Sequence, residues 1–232
     1  MLAPDVIYVW TVPLDGTSPP VVLPSGELAR IEAGDPSLWR RRHFVRAVMR
    51  TLIGQYLDRD PAALCFLSDD GGKPRLAGNE LAFNLSHSDD LMLIAIAIGR
   101  AVGVDVDRLD RLGDDWRGVS RSACAVEEED ALAMLPPGER SQATMRLWIR
   151  KEAYTKARGG GFAHRFPGVT VGLATRQTAS SVDDKNDDVR GAGWSLVDLP
   201  MAWPMAAALA FAGGHASITH RRYPQDAIGG VA

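Results

Sequence analysis

The sequence predicts an α+β protein, and three observations carry that prediction. Strand-like and helical stretches are mixed without a regular strand–helix–strand alternation, which argues against a doubly wound sheet. Trp39–Leu57 repeats apolar residues at 3- and 4-residue steps, and Ser141–Arg158 reads as a second long helix closed by Gly159-Gly-Gly161. Each half of the chain joins one such helix to several strand-like runs. That arrangement suits two similar lobes, 1–100 and 101–232, although no sequence repeat supports them.

The elements follow in order. Val6–Trp10 is β-branched and aromatic, so it reads as a strand. Residues 11–37 hold Pro, Gly, Ser and Asp with little period and read mostly as loop. In the helix 39–57, Val45, Val48, Met49, Leu52 and Tyr56 form the core stripe, and Arg40, Arg41, Arg42, Arg46 and Arg50 add charge without a single acid. Ala62–Leu67 is a short strand and Asp69–Pro74 a turn of suitable chemistry. Leu81–Leu85 and Leu91–Ile98 form a strand pair around a polar loop, Ser86–Asp90, and Ala101–Val106 is the next strand. Glu127–Leu135 is an acidic helix stopped by Pro136-Pro137. Val169–Leu173, Trp194–Leu199 and Met205–Ala212 read as strands. Residues 176–193 read as an exposed connection, and the chain past His220 as a loose tail.

Composition excludes several classes. With 232 residues, 46% of them hydrophobic, the chain holds enough apolar surface for a core, so bulk disorder is excluded. A net charge of −3 excludes a globally basic nucleic-acid binder. Pro4, Asp5, Pro13 and Asp15 interrupt any export signal, and the longest apolar run, Leu91–Ile98, falls far short of the ~20 residues of a membrane span. Two cysteines cannot make a disulfide scaffold, which suits a reduced cytoplasmic setting.

Three groups of residues suggest chemistry. Asp105 and Asp107 are two apart at a strand end, so they share a face and repel unless a cation or water intervenes. Such hard oxygen donors suit Mg²⁺, although a solvated strand end is an equal reading. Glu152 and Lys156 lie four apart on a largely apolar helix, where a simple surface pair is less expected. Ser86-His87-Ser88, with Asn84 close by, offers donors to a phosphate. Lys73 on a glycine turn and Arg46 or Arg50 on the arginine-rich helix add cations. No zinc spacing, P-loop, nucleophile elbow or dinucleotide fingerprint occurs.

Taken in order, Gly72-Lys-Pro74, Phe83-Asn-Leu-Ser-His-Ser88, Gly103-Val-Asp-Val-Asp107 and Trp148-Ile-Arg-Lys-Glu-Ala-Tyr-Thr-Lys156 resemble the signatures of 4′-phosphopantetheinyl transferases. The chain length is similar to the surfactin-synthetase-activating type, two lobes in one chain with the active site in the cleft between them. The resemblance implies Mg²⁺-dependent transfer of 4′-phosphopantetheine from coenzyme A to a serine of an apo acyl, peptidyl or aryl carrier protein, with Mn²⁺ as an alternative metal. Adenosine 3′,5′-bisphosphate is the implied second product. A single two-lobe chain implies a monomer, and the composition implies a cytoplasmic protein without nucleic-acid or membrane partners.

By the same resemblance, Asp105, Asp107 and Glu152 hold the metal, and Glu152, Lys156 and Asp105 are catalytic. Lys156, Ser86 and His87 bind phosphate, Lys73 and Pro74 lie beside the nucleotide, and Arg50 stands near the 3′-phosphate. Glu152, directly or through water, takes the carrier serine's proton. The chain departs from the pattern where Asp107 replaces the usual Glu, one methylene longer, and where Ala123 replaces an aromatic four residues before Glu127. Residues 109–125, with Trp116, are the implied carrier-receiving segment. Two other readings compete: another Mg²⁺-dependent transferase with a nucleotide-activated donor, such as an Asp-x-Asp glycosyl transferase, and a non-catalytic coenzyme A or carrier-binding module.

Overall fold

The structure is a computed structural model. It describes residues 3, 5–68, 74–159, 166–174, 180–184 and 193–225. In chain order the described elements are β1 (Val6–Pro13), α1 (Ser25–Glu32), α2 (Trp39–Leu57), β2 (Phe66–Ser68), β3 (Pro74–Leu76), β4 (Ala82–Ser88), β5 (Leu91–Ala97), β6 (Val102–Arg108), α3 (Trp116–Ala123), α4 (Val126–Met134), α5 (Arg140–Arg158), β7 (Val169–Thr170), β8 (Ser180–Ser181), β9 (Asp183–Asp184), β10 (Trp194–Leu199), β11 (Met205–Ala212) and β12 (Ser217–Arg222). The fold is mixed α+β, as the sequence predicts.

One sheet has the order β12-β1-β5-β4 and the other β6-β11-β10-β8. Strand alternation sorts the core into three layers. Trp10, Val12, Met92, Ile94 and Ile96 pack against Val48, Met49, Leu52 and Ile53 of α2. Leu196, Ala206, Ala208 and Ala210 pack against Met145, Ile149 and Ala153 of α5. The opposite faces, with Ile7, Val9, Leu93 and Ala95 from the first sheet and Val104, Val106, Leu209 and Phe211 from the second, pack together. β5 is therefore apolar on both faces because both are covered.

Several elements differ from the sequence reading. Ser86, His87 and Ser88 continue β4 instead of forming a loop. α1 and α3 are short helices of eight residues each, in stretches the sequence reading did not assign to helix. Ser217–Arg222 is no tail: it adds parallel to β1, with Val6 opposite Ser217, so the first sheet draws on both ends of the chain. Most of the 176–193 connection, the Asp69–Lys73 part of the predicted turn and everything past residue 225 lie outside the described residues. No helix among the described residues is long and apolar enough to cross a membrane.

Candidate active site

β4 and β6 are each an edge strand of their own sheet, and side chains bridge them. Asn84 Oδ1 accepts from the Val104 N–H at 2.9 Å. Ser86 Oγ donates to Asp105 Oδ1 at 2.7 Å and Ser88 Oγ to Asp107 Oδ1 at 2.6 Å. Residues 84, 86 and 88 thus use one face of β4 to orient the chain at β6.

The helix α5 closes the group from the other side. Lys156 Nζ lies 2.6 Å from Asp105 Oδ1 and 3.0 Å from Ser86 Oγ. Glu152, one turn earlier on the same face, has a buried Oε1 with no hydrogen-bond partner. Burial raises the Asp105 pKa, opposed by the Lys156 ammonium. Burial raises that of Glu152 as well, reinforced by the Asp105 charge. Segments at 86, 105, 152 and 156 therefore meet at one point.

Asp107 is turned differently. Its Oδ1 also accepts from the Arg108 N–H at 2.8 Å and from Arg111 Nε at 2.6 Å. Among the described residues, no three His, Cys, Asp or Glu side chains stand together as a group able to hold a metal. Asp105 and Glu152 nevertheless fit a hard cation. They are two mutually repelling carboxylates, one with an orphaned buried oxygen.

His87, on the opposite face of β4, lines a cavity of about 510 Å³ with Arg30, Arg41, Arg42 and Arg46. Loss of hydration lowers the His87 pKa below its ordinary 6.5, and Arg41 adds to the effect. Pro74 opens β3, and Lys73 lies outside the described residues.

Arg50 is not brought to this group. It is 1% exposed and ion-paired with Glu27 at 2.8 Å, while Nη1 donates to the carbonyls of Pro61 at 2.6 Å and Leu64 at 3.0 Å. Its donors knit α1 and the 61–64 turn to α2, so it is not positioned to serve a 3′-phosphate.

The sequence reading missed a buried ion pair beneath the site. Lys151 and Glu128 are 0% and 2% exposed at the side chain, 2.6 Å apart. Lys151 Nζ also donates to the carbonyls of Ala123, Phe166 and Val169. Glu128 accepts the N–H groups of Ala125, Val171 and Gly172. Glu128, not Glu127, is the buried glutamate of α4, and the buried side chain four residues before it is Cys124.

Two sheets that meet along a seam of serines, carboxylates and a lysine suit an enzyme acting on phosphate esters, and comparison with known proteins narrows that class. The sequence model of the 4′-phosphopantetheinyl transferase superfamily matches residues 101–208. The chain is 31% identical over 222 residues to "4′-phosphopantetheinyl transferase HetI" of Nostoc sp., covering 91% of this chain and 90% of the relative. It is 37% identical over 90 residues to "4′-phosphopantetheinyl transferase AcpT" of Salmonella typhi, covering 38% of this chain and 46% of that protein. Over 148 residues it is 32% identical to the "L-aminoadipate-semialdehyde dehydrogenase-phosphopantetheinyl transferase" of Eremothecium gossypii, covering 59% and 54%. The chain belongs to the 4′-phosphopantetheinyl transferase superfamily and is an enzyme of that class. The glycosyl-transferase and non-catalytic readings fall with that assignment.

Proposed function

We propose that this enzyme moves the 4′-phosphopantetheine group of coenzyme A to a serine of an apo acyl, peptidyl or aryl carrier protein, and that the seam between β4, β6 and α5 is its active site. The observation that carries this reading is the meeting of Ser86, Asp105, Glu152 and Lys156, with the Glu152 Oε1 buried and unpartnered. The carrier serine oxygen bonds to the β-phosphorus of coenzyme A. The bond from that phosphorus to the bridging oxygen breaks, and adenosine 3′,5′-bisphosphate leaves with the bond electrons. Glu152, directly or through a water, takes the serine proton. Lys156, held by Asp105 and Ser86, is a preorganised cation for the charge that develops on the departing phosphate.

Mg²⁺, or Mn²⁺ in its place, would be held by Asp105 and Glu152, and when bound it polarises the diphosphate and neutralises charge on the leaving group. The nucleotide end suits the arginine-lined cavity. Arg41 and Arg42 sit in the first turn of α2, where the helix dipole disfavours cations and the turn itself holds no acid; Asp90 stands 3.9 Å from Arg41. An anion there would relieve that repulsion, and His87 reaches the same cavity from β4. Lys73 and Pro74 remain proposed neighbours of the nucleotide.

The proposed lobes divide near residue 100, with Ser217–Arg222 returned to the first. One chain supplies Ser86, Asp105, Glu152 and Lys156 to the seam, so a monomer suffices. The cytoplasm is the proposed setting, since two cysteines are too few for a disulfide scaffold. The test is the intact mass of apo carriers of the fatty-acid, polyketide and peptide classes after incubation with the protein, coenzyme A and Mg²⁺. A gain of one phosphopantetheine, lost on chelation and in Glu152→Gln, is the expected result. No gain on any carrier class would refute the reading.

A further inference from the structure

The two aspartates of Gly103-Val-Asp-Val-Asp107 look equivalent in sequence, but their surroundings differ. Asp107 Oδ1 receives three donors: Ser88 Oγ at 2.6 Å, the Arg108 N–H at 2.8 Å and Arg111 Nε at 2.6 Å. A carboxylate oxygen has about two lone-pair sites, so three donors leave that oxygen none for a metal. Arg111 is folded back by the turn after β6, where its N–H meets the Arg108 carbonyl at 3.4 Å. Its Nη2 donates to Ser88 Oγ at 2.8 Å and lies 3.6 Å from Asp89. The guanidinium thus ties the chain leaving β6 to the β4–β5 turn.

Charge balance separates the two aspartates. Asp107 has the guanidinium of Arg111 against its own charge. Asp105 and Glu152 both feel the same ammonium, that of Lys156, and they repel each other. Asp105 and Glu152 thus share one ammonium and keep one uncompensated negative charge between them to draw a divalent ion. The Asp side chain is also one methylene shorter than the Glu that the resemblance leads one to expect, so it stays against Arg111.

We propose that Arg111 is the standing cation of Asp107, so that the divalent ion is held by Asp105 and Glu152 while Asp107 and Arg111 position the turn beside it. This rests on the reading of the seam as a divalent-cation site. The test is Mn²⁺ binding to the full chain, followed by the electron paramagnetic resonance of free Mn²⁺ with and without coenzyme A. Folding of each variant is checked by circular dichroism.

Asp105→Asn should weaken Mn²⁺ by more than about tenfold, since even outer-shell changes typically cost 10–100-fold. Asp107→Asn, which keeps the shape and an acceptor oxygen, should stay within about threefold of the unaltered chain, a residual electrostatic effect. A loss in Asp107→Asn equal to that in Asp105→Asn overturns the proposal. Arg111→Gln is an independent check if Asp107→Asn fails to fold. It frees the Asp107 carboxylate and should tighten Mn²⁺ by at least about threefold. Unchanged or weaker binding in Arg111→Gln overturns the proposal. An unaltered chain that binds no Mn²⁺ in either condition would refute the cation site itself, and this inference with it.

Discussion

Gly103→Ala should damage both stability and catalysis, because position 103 is where β6 touches α5. A Cβ on residue 103 would lie 2.2 Å from the Ala153 carbonyl oxygen and 2.2 Å from the Ala157 nitrogen. Both are backbone atoms of α5, so no side chain can swing away. Reaching ordinary contact at 3.4 Å requires a separation of strand and helix of about 1.2 Å. Overpacking of this kind costs about 1–3 kcal/mol. Asp105 lies two residues along β6 on the same face as Gly103, and Glu152 and Lys156 lie on α5 beside Ala153 and Ala157. Whichever element yields, the 2.6 Å contact from Lys156 to Asp105 opens.

A misplacement of about 1 Å at reacting groups can cost on the order of 10²-fold in rate. Urea unfolding should therefore show the loss of about 1–3 kcal/mol, and apo-carrier modification should fall on the order of 10²-fold in kcat/KM. Coenzyme A binding, proposed for the arginine cavity on the other side of β4, should change less. An alanine variant with unaltered urea midpoint and turnover would refute the claim that this close approach sets the site.

Further outcomes follow from the same structure. Lys151→Met should lose about 3–5 kcal/mol in urea unfolding, because it strands Glu128 as an uncompensated buried charge; the double variant with Glu128→Leu should recover part of that loss. Cys124 is buried, with its thiol pushed up to about 11, whereas Cys65 is exposed. A thiol reagent should label one cysteine in the native protein and two in denaturant. The unfolded chain binds a proton on His87 near pH 6.5 and the folded chain only at lower pH. Stability should thus fall as pH drops through 6.5 and level off once the folded imidazole is protonated; His87→Gln should flatten that part of a urea-midpoint profile.

The sequence shows its long periodic elements plainly and its isolated charges poorly. The bounds of α2 follow from apolar spacing, and those of β11 from the flanking Pro204 and Gly213. Asp105, Glu152 and Lys156 are legible because acids and lysines in otherwise apolar elements are costly. Arg50 and Lys151 are not, since each is a cation on a helix with the same local pattern as a solvated face. Only the tertiary cages of carbonyls and a distant glutamate reveal them as buried. The strand β12 escapes because His220, Arg221 and Arg222 make an edge strand look like a charged tail. Asp107 shows a third limit: two aspartates of one motif read alike until the Arg111 side chain is placed.

The order Ser-His-Ser at residues 86–88 has a physical cause in the strand period. In a loop, these three side chains would share one environment. In β4, alternation sends Ser86 and Ser88 toward β6, where they orient two carboxylates, and sends His87 toward α2 and its arginines. Phe83 and Leu85 keep the same side as His87 by packing against α2, so the register is held by the core. A single-residue slip of β4 would bury His87 against Asp105 and turn both serines to the arginine cavity. The strand thus serves the proposed anion cavity on one face and the carboxylate seam on the other. On the proposed function, one segment would thus serve both the nucleotide of coenzyme A and the diphosphate joined to it.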